Sequence, residues 1–336
     1  MRSHIALMSV PLHAHVSPML GVAAELVDRG HRVTFASSGG FGALIAETGA
    51  TAVTYRSTLP ADGVPGAGWL AAPVAQEIGR ECDAAFPQVV AAYGADRPDL
   101  IVHDTVTAFA PRLAGLWNVP RVRFSPTHVY LPAGEEPAVP TVVAMPRSLQ
   151  ADVDHVGPEH LFVGPVPWRG RAGEDWHAPA GRPVALVSLG SGHHGRDDVP
   201  IRCAEGLAAA GWHVVTASGG SDLPAAAVLE HASILVTAGG AGEVLDALAY
   251  GVPLVVVPQD VEQFLTAARV QALGVGRMIT PERLSPAAIR AAAGELTSDP
   301  ATRTALDTMR AEILLSGGAP AAADLIEKQL AHGDVA

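Results

Sequence analysis

Three neighbouring stretches decide the fold: Ile5-Ala6-Leu7-Met8-Ser9-Val10, His13-Ala14-His15-Val16-Ser17-Pro18-Met19 and Gly30-His31-Arg32-Val33-Thr34-Phe35-Ala36. The first is a short apolar run of the kind buried on both faces of a parallel sheet. A loop holding His13, His15 and Pro18 comes next, then a helical pattern over 19–29 that Gly30 stops. A second strand over 31–36 comes at once, so the stretch reads as one βαβ unit.

Working outward, the alternation continues with strands at 52–55, 100–103 and 121–124 and helices near 70–92 and 107–117. It restarts at 184–189 and runs through strands at 212–216, 234–237 and 254–257, with helices between them. Three helical patterns close the chain, near 286–296, 301–315 and 320–330. A Pro- and Gly-rich stretch over 164–183 reads as a linker. The expected plan is an α/β chain of two Rossmann-like doubly wound domains, 1–163 and 184–316. A last helix, within 317–336, returns to the first domain. Ligands of such a fold are expected at the carboxyl ends of the strands, here in a central cleft that both domains face. Periplasmic-type binding proteins and two-domain epimerases share this pattern, so motifs must separate them.

Composition narrows the function classes. The 336 residues suit two domains, and 49% hydrophobic content argues against global disorder. Net charge is −12, and the 22 basic residues include a single lysine, Lys328. The basic stripe that a nucleic acid or an anionic membrane would need is missing. No apolar run reaches a bilayer span, and the first residues lack a secretory leader, so a cytoplasmic setting is expected. Cys82 and Cys203 lie far apart and offer neither a disulfide framework nor metal spacing. His128, His155, His160, His193 and His194 read as solvated loop positions, and Trp168 and Trp176 as packing residues. A homodimer is left open.

Two motifs carry chemistry. A histidine at the end of a strand, beside a helix N-terminus, can act as a general base near neutral pH, which singles out His15; an HxH metal pair or a solvated loop histidine are the competing readings. The second motif, Pro98-Asp99-Leu100-Ile101-Val102-His103-Asp104-Thr105, ends a buried strand in a His-Asp pair. If that strand neighbours the first, Asp104 arrives beside His15, where a carboxylate fixes the imidazole tautomer and stabilises its protonated form. Alternatively, Asp104 caps the helix starting near Val106. His13, Ser17, Thr105 and Ser125 are candidate substrate contacts. No metal site is expected.

With these residues in place, the chain resembles the family 1 GT-B glycosyltransferases, bacterial macrolide and polyketide tailoring branch. The likeness is carried by His15 within His-Val-Ser-Pro, by Leu26-Val27-Asp28-Arg29-Gly30-His31-Arg32-Val33-Thr34, and by 98–104. Val187-Ser188-Leu189-Gly190-Ser191, Gly251-Val252-Pro253-Leu254 through Pro258, Glu262 and Gln263, and the ending Gly317-Gly318 with Ala322-Ala323-Asp324-Leu325-Ile326-Glu327 carry it further. The resemblance implies that His15 deprotonates an acceptor hydroxyl and that Asp104 supports it. It also implies a donor-type loop set of Gly190, Ser191, Gly240, Gly242, Asp246, Glu262 and Gln263, with Asp246 at the donor ribose and Gln263 at the sugar; either also reads as an exposed helix residue.

The departures point elsewhere. Where the family grips the donor diphosphate with a histidine, this chain has Ala238, followed by Gly239-Gly240-Ala241-Gly242-Glu243. Glu243 takes the place of a small hydroxyl residue, and a carboxylate about 4 Å from a phosphate charge costs on the order of 4 kcal/mol at an effective dielectric near 20. Otherwise it points to solvent at the positive end of its helix. The Trp-x-Pro-Gln turn that stacks on the base is replaced by text around Asp222, Pro224 and Ala225, and the acceptor cover shrinks to 127–140. The leading expectation is therefore an enzyme repurposed to sugar-independent acid–base chemistry on a hydrophobic natural product: dehydration, isomerisation or cyclisation, without a cofactor. The alternative is an inverting transferase using a UDP- or TDP-sugar, and a third reading is a non-catalytic auxiliary or binding protein.

Overall fold

The computed structural model describes residues 2–60, 72–129, 139–168, 176–189, 198–217 and 225–333. In chain order the elements are β1 (His4–Met8), α1 (His13–Asp28), β2 (Arg32–Ser38), α2 (Gly42–Glu47), β3 (Thr51–Tyr55), α3 (Ala72–Tyr93), β4 (Leu100–Asp104), α4 (Phe109–Trp117), β5 (Arg121–Ser125), β6 (Thr141–Val143) and β7 (His160–Phe162). They continue with β8 (Val184–Ser188), α5 (Asp198–Ala208), β9 (His213–Ala217), α6 (Ala225–Leu229), β10 (Ala232–Thr237) and α7 (Ala241–Tyr250). Last come β11 (Leu254–Val256), α8 (Val261–Ala272), β12 (Gly276–Met278), α9 (Pro286–Ser298), α10 (Pro300–Leu315) and α11 (Gly318–Gly333). Two compact units result: the described residues of 2–168 together with 316–333, and those of 176–315.

The first unit holds a seven-stranded parallel sheet in the order β3-β2-β1-β4-β5-β6-β7. Every residue of β1 and β4 is buried, as expected of strands covered on both faces. The chain steps from β1 to β2 on one side and returns to β4 on the other, so the order reverses at the β1–β4 pair. That reversal opens a crevice beyond the strand ends. Met8 pairs with His103, so the chain leaving β1 runs beside the end of β4.

The second unit repeats the device with five parallel strands ordered β12-β11-β10-β8-β9, reversing at the β8–β10 pair. Val187, Cys203, Leu207, Ile234, Val236 and Ile289 belong to its core. In the first unit, Ala322, Ala323 and Ile326 of α11 complete the core under α1. Arg29 Nη1 reaches Asp324 at 2.6 Å and Glu327 at 2.7 Å, and His31 Nε2 meets Glu327 at 2.9 Å. These partly exposed pairs orient the helix more than they stabilise it.

Several sequence expectations need correction. Helix α1 starts at His13, not at residue 19, so His15 and Pro18 lie inside it; the proline is tolerated this near the N-terminus because few ladder bonds precede it. Gly30 ends the turn after α1 at φ +87°, a conformation side chains resist. Strands β6, β7 and β12 were not foreseen, since three residues are too few to show a period. His128 is buried, its Nδ1 accepting the Ala151 N–H at 3.3 Å, and His160 is half-buried in β7; His155 is exposed. Trp168 packs on the first core, and Trp176 lies against His213 and His231. Gly190, Ser191, His193, His194, Asp222, Pro224, the 130–138 part of the acceptor cover and the 169–175 part of the linker lie outside the described residues. Among the described residues, no helix is long and apolar enough to cross a membrane, and no three His, Cys, Asp or Glu side chains gather as metal ligands.

Candidate active site

Four residues separate β1 from helix α1, which places His15 in its first turn over the end of β4. The ring Nδ1 lies 2.8 Å from Asp104 Oδ1, with His15 4% exposed and Asp104 fully buried. An ionised carboxylate only accepts, so Nδ1 carries the proton and the basic lone pair of the neutral ring sits on Nε2. Asp104 accepts twice more, from the Thr105 hydroxyl at 3.2 Å and from the Thr107 hydroxyl at 3.1 Å. Thr107 Oγ1 in turn accepts the Val10 N–H at 3.1 Å and so ties the carboxylate to the end of β1. Three donors in a dry site hold an ionised carboxylate in one geometry. Asp104 does not cap a helix: α4 starts at Phe109 with Ala108 as its N-cap.

The surrounding candidates divide. Thr105 joins the pair. Ser17 and His13 are exposed, because each stands two residues, about 200°, around α1 from His15; His13 packs edge-on against Phe41. Ser125 is buried, and its hydroxyl donates to the Thr127 carbonyl at 2.9 Å.

Sequence reasoning missed Thr107, although a hydroxyl three residues beyond a strand-end Asp is a readable signal. It also missed the polar groups nearby. The Glu81 carboxylate on α3 is fully buried, with one oxygen accepting from the backbone and hydroxyl of Thr58, both at 2.6 Å. Among the described residues, its other oxygen and the Tyr55 hydroxyl have no hydrogen-bond partner within ordinary donor–acceptor distance. Burial, then the Glu81 charge, keeps the Tyr55 phenol protonated far above its usual range. His103 donates from Nδ1 to the Asp104 carbonyl at 3.0 Å, and burial pushes its pKa down to about 4, so its ring is neutral.

At the β8–β10 reversal, Glu243 behaves as neither sequence reading supposed. It turns inward and accepts from the Ser188 hydroxyl at the end of β8 and the Thr237 hydroxyl at the end of β10, each at 2.5 Å. Burial raises its pKa, against the pull of those two hydrogen bonds. Ala238 is buried and Gly239 takes φ +98°, where a Cβ would lie 2.8 Å from Val256 Cγ1. Gly240 caps α7 and Gly242 is exposed on its first turn. Asp246 is exposed further along α7, and Glu262 is half-buried in the first turn of α8. Gln263 is bound locally: its side-chain oxygen accepts the Gln259 N–H at 2.8 Å, and its own N–H donates to Asp260, the N-cap of α8, at 3.0 Å.

With this geometry established, comparison with known proteins identifies the family. The family described as "Erythromycin biosynthesis protein CIII-like, C-terminal domain" matches residues 219–330. The chain is similar to the oleandomycin glycosyltransferase of Streptomyces antibioticus, 33% identical, with 98% of this chain and 91% of that protein covered. The chain belongs to the family 1 GT-B glycosyltransferases. This glycosyltransferase is also similar to NDP-glycosyltransferase YjiC of Bacillus licheniformis, 30% identical with 99% of each covered. Among solved structures, the glycosyltransferase of kitacinnamycin is 33% identical, with a TM-score of 0.88 and 98% of this chain and 100% of that one covered. The two parallel sheets are thus those of a GT-B enzyme related to macrolide and polyketide transferases.

These matches overturn the expectation of a sugar-independent acid–base enzyme, since proteins alike over both units are glycosyltransferases. They also set aside the non-catalytic reading. The error lay in weighing expected departures at single positions, such as Ala238, as decisive. The turn after β10 carries Gly239 and Gly240 ahead of α7, and a helix N-terminus offers backbone N–H groups whatever its side chains. The alignment with the oleandomycin enzyme runs over 393 positions, more than the 336 residues here, so that relative carries segments which face gaps in this chain.

Proposed function

We propose that this enzyme moves a sugar from a nucleoside-diphosphate donor, a UDP- or TDP-sugar, to a hydroxyl of a hydrophobic natural product, with inversion at the anomeric carbon. The observation that carries this reading is the buried contact of 2.8 Å between His15 and Asp104 at the strand reversal of the first unit. With Nδ1–H committed to Asp104, Nε2 takes the proton of the acceptor hydroxyl while its oxygen attacks the anomeric carbon. The bond from that carbon to the diphosphate oxygen breaks in the same displacement, and the diphosphate leaves with the electron pair. Asp104 stabilises the imidazolium that forms, and Thr105 and Thr107 keep the carboxylate in place.

In this reading 1–163, with the helix in 317–336, is the acceptor domain, 164–183 the linker and 184–316 the donor domain. His13, Ser17, Thr105 and Ser125 are assigned to the acceptor side. Gly190, Ser191, Gly240, Gly242, Asp246, Glu262 and Gln263 are assigned to the donor side. With Ala238 in place of the family's histidine, backbone N–H groups take the larger share of the diphosphate, and Glu243 holds the ends of β8 and β10 together. Calorimetry with a panel of UDP- and TDP-sugars tests the donor. Micromolar binding is expected, with a glycosylated product detected by mass spectrometry that disappears in His15→Ala. Binding by none of the panel, or full turnover by His15→Ala, overturns the proposal.

A further inference from the structure

The carboxylate of Glu243 stands at the strand ends where the second unit is suited to an anion. Strand order reverses at the β8–β10 pair, and ligands of such folds lie beyond those ends. Helix α7 opens there on its Gly240 N-cap, so the N–H groups of its first turn lie at the same place. Glu243 is the third residue of that helix, and its side chain turns inward. Oε1 accepts from the hydroxyl of Ser188, the last residue of β8, and Oε2 from that of Thr237, the last of β10, each at 2.5 Å. Thr237 Oγ1 also accepts the Gly239 N–H at 3.1 Å. A diphosphate arriving here needs donors, and it meets a carboxylate that holds both hydroxyl protons.

The protonation state of this cluster decides how well it admits an anion. An ionised carboxylate only accepts, so it spends both hydroxyl protons on itself. A protonated one keeps both contacts with one of them reversed. Its O–H donates to Ser188 Oγ, because Thr237 Oγ1 already takes the Gly239 N–H, and the Ser188 proton is released. Burial, the largest influence, raises the Glu243 pKa against its two hydrogen bonds. The charged groups of the adjoining helices are Asp246 on α7 itself, Asp260 and Glu262 at the start of α8, and Arg303, Asp307, Arg310 and Glu312 on α10; among the described residues, none figures among the causes of that shift. An incoming diphosphate adds like charge and favours the protonated form further. We infer that the donor diphosphate binds together with a proton, taken from solvent onto Glu243, which frees the Ser188 hydroxyl to donate to a phosphate oxygen. When the diphosphate leaves, Ser188 turns back to the carboxylate and the proton returns to solvent. The inference rests on the donor reading above and adds a condition to it. Donor affinity is flat below the free-state titration of Glu243 and falls as pH rises from there to the higher bound-state value, by up to about tenfold per pH unit.

The test is calorimetric titration of UDP-glucose and TDP-glucose, whose phosphates carry no group titrating near neutral pH, into wild type, Glu243→Gln and Ser188→Ala. Runs between pH 6 and 8.5, each in two buffers of different ionisation enthalpy, count the protons taken up, and melting curves show that each variant folds. Wild type is expected to take up more than about half a proton per donor within this range, and to bind at least about fivefold more weakly at its upper end. The amide of Glu243→Gln donates to Ser188 as the protonated acid does, so this variant is expected to bind without proton uptake and with equal affinity at both ends. Ser188→Ala is expected to weaken binding severalfold at pH 6. Donor binding to wild type without proton uptake overturns the inference while leaving the donor reading in place. The same uptake in Glu243→Gln, loss of binding by that variant when folded, or full affinity of Ser188→Ala at pH 6 overturns it as well. If wild type binds neither sugar nucleotide at any pH, the donor reading itself falls and this inference with it.

Discussion

Replacing Asp104 by Asn removes a charge while keeping the volume of a fully buried side chain. Two arrangements are open to the amide. If its oxygen faces His15, the imidazole tautomer survives and the NH2 turns to Thr107 Oγ1, which can accept it by redirecting its own proton. What is lost is then the charge assistance to the imidazolium, worth about 1.5–3 kcal/mol for a hydrogen bond to a charged group. At about 1.4 kcal/mol per decade this is a factor of roughly 10 to 150 in rate. If the NH2 faces His15 instead, Nδ1 must accept, the ring proton moves to Nε2, and the base is lost; such an inversion has cost about 10⁴-fold in a serine protease. The expected fall in kcat for Asp104→Asn is therefore between about 10- and 10⁴-fold, with donor affinity unchanged. The assay is nucleoside-diphosphate release at saturating donor with a hydroxylated acceptor, run beside His15→Ala and the double variant. Because the two residues act as one unit, the double variant should be no slower than the worse single one. Activity of Asp104→Asn within about threefold of wild type, or a double variant whose loss is the product of the singles, would refute the argument.

Two further outcomes are expected. Burial lowers the His103 pKa from 6.5 to about 4, so the unfolded chain binds the extra proton first. That contribution is present above about pH 6.5 and is lost as pH falls through 4, on the order of 3 kcal/mol in all. His103→Phe should flatten the fall in melting temperature between pH 7 and 4, and an unaltered acid slope would contradict the assignment. In the C-terminal helix, Ile326→Ala should cost about 2–4 kcal/mol in denaturant unfolding, because a fully buried side chain leaves a cavity. Arg29→Ala, which breaks partly exposed ion pairs, should cost about 1 kcal/mol or less. The reverse ranking would show that the ionic clasp, not the apolar face, docks α11.

Much of the first unit was legible because its strands are apolar runs and its helices stop at glycines: residues 5–10 and 31–36 announce β1 and β2, and Gly30 the end of α1. The strand-end placement of Asp104 beside His15 came from reading the two strands as neighbours. The start of α1 was misplaced because Pro18 looks like a helix opening, and β6, β7 and β12 were too short to register. A loop reading puts Ser17 beside His15, whereas the helix sets it about 200° around α1 from that ring.

The sequence alone determined the α/β class, the two sheets and the family, because burial periodicity and strand-end motifs are local and survive the loss of single contacts. Only the tertiary structure decided which polar groups meet. The Val10 N–H reaches Thr107 because β4 lies beside β1. Glu243 turns from solvent toward Ser188 and Thr237 because β8 and β10 bring two hydroxyls to its carboxylate. A buried carboxylate goes where donors offset its lost hydration, and those donors come from strands dozens of residues apart that only the folded sheet makes neighbours.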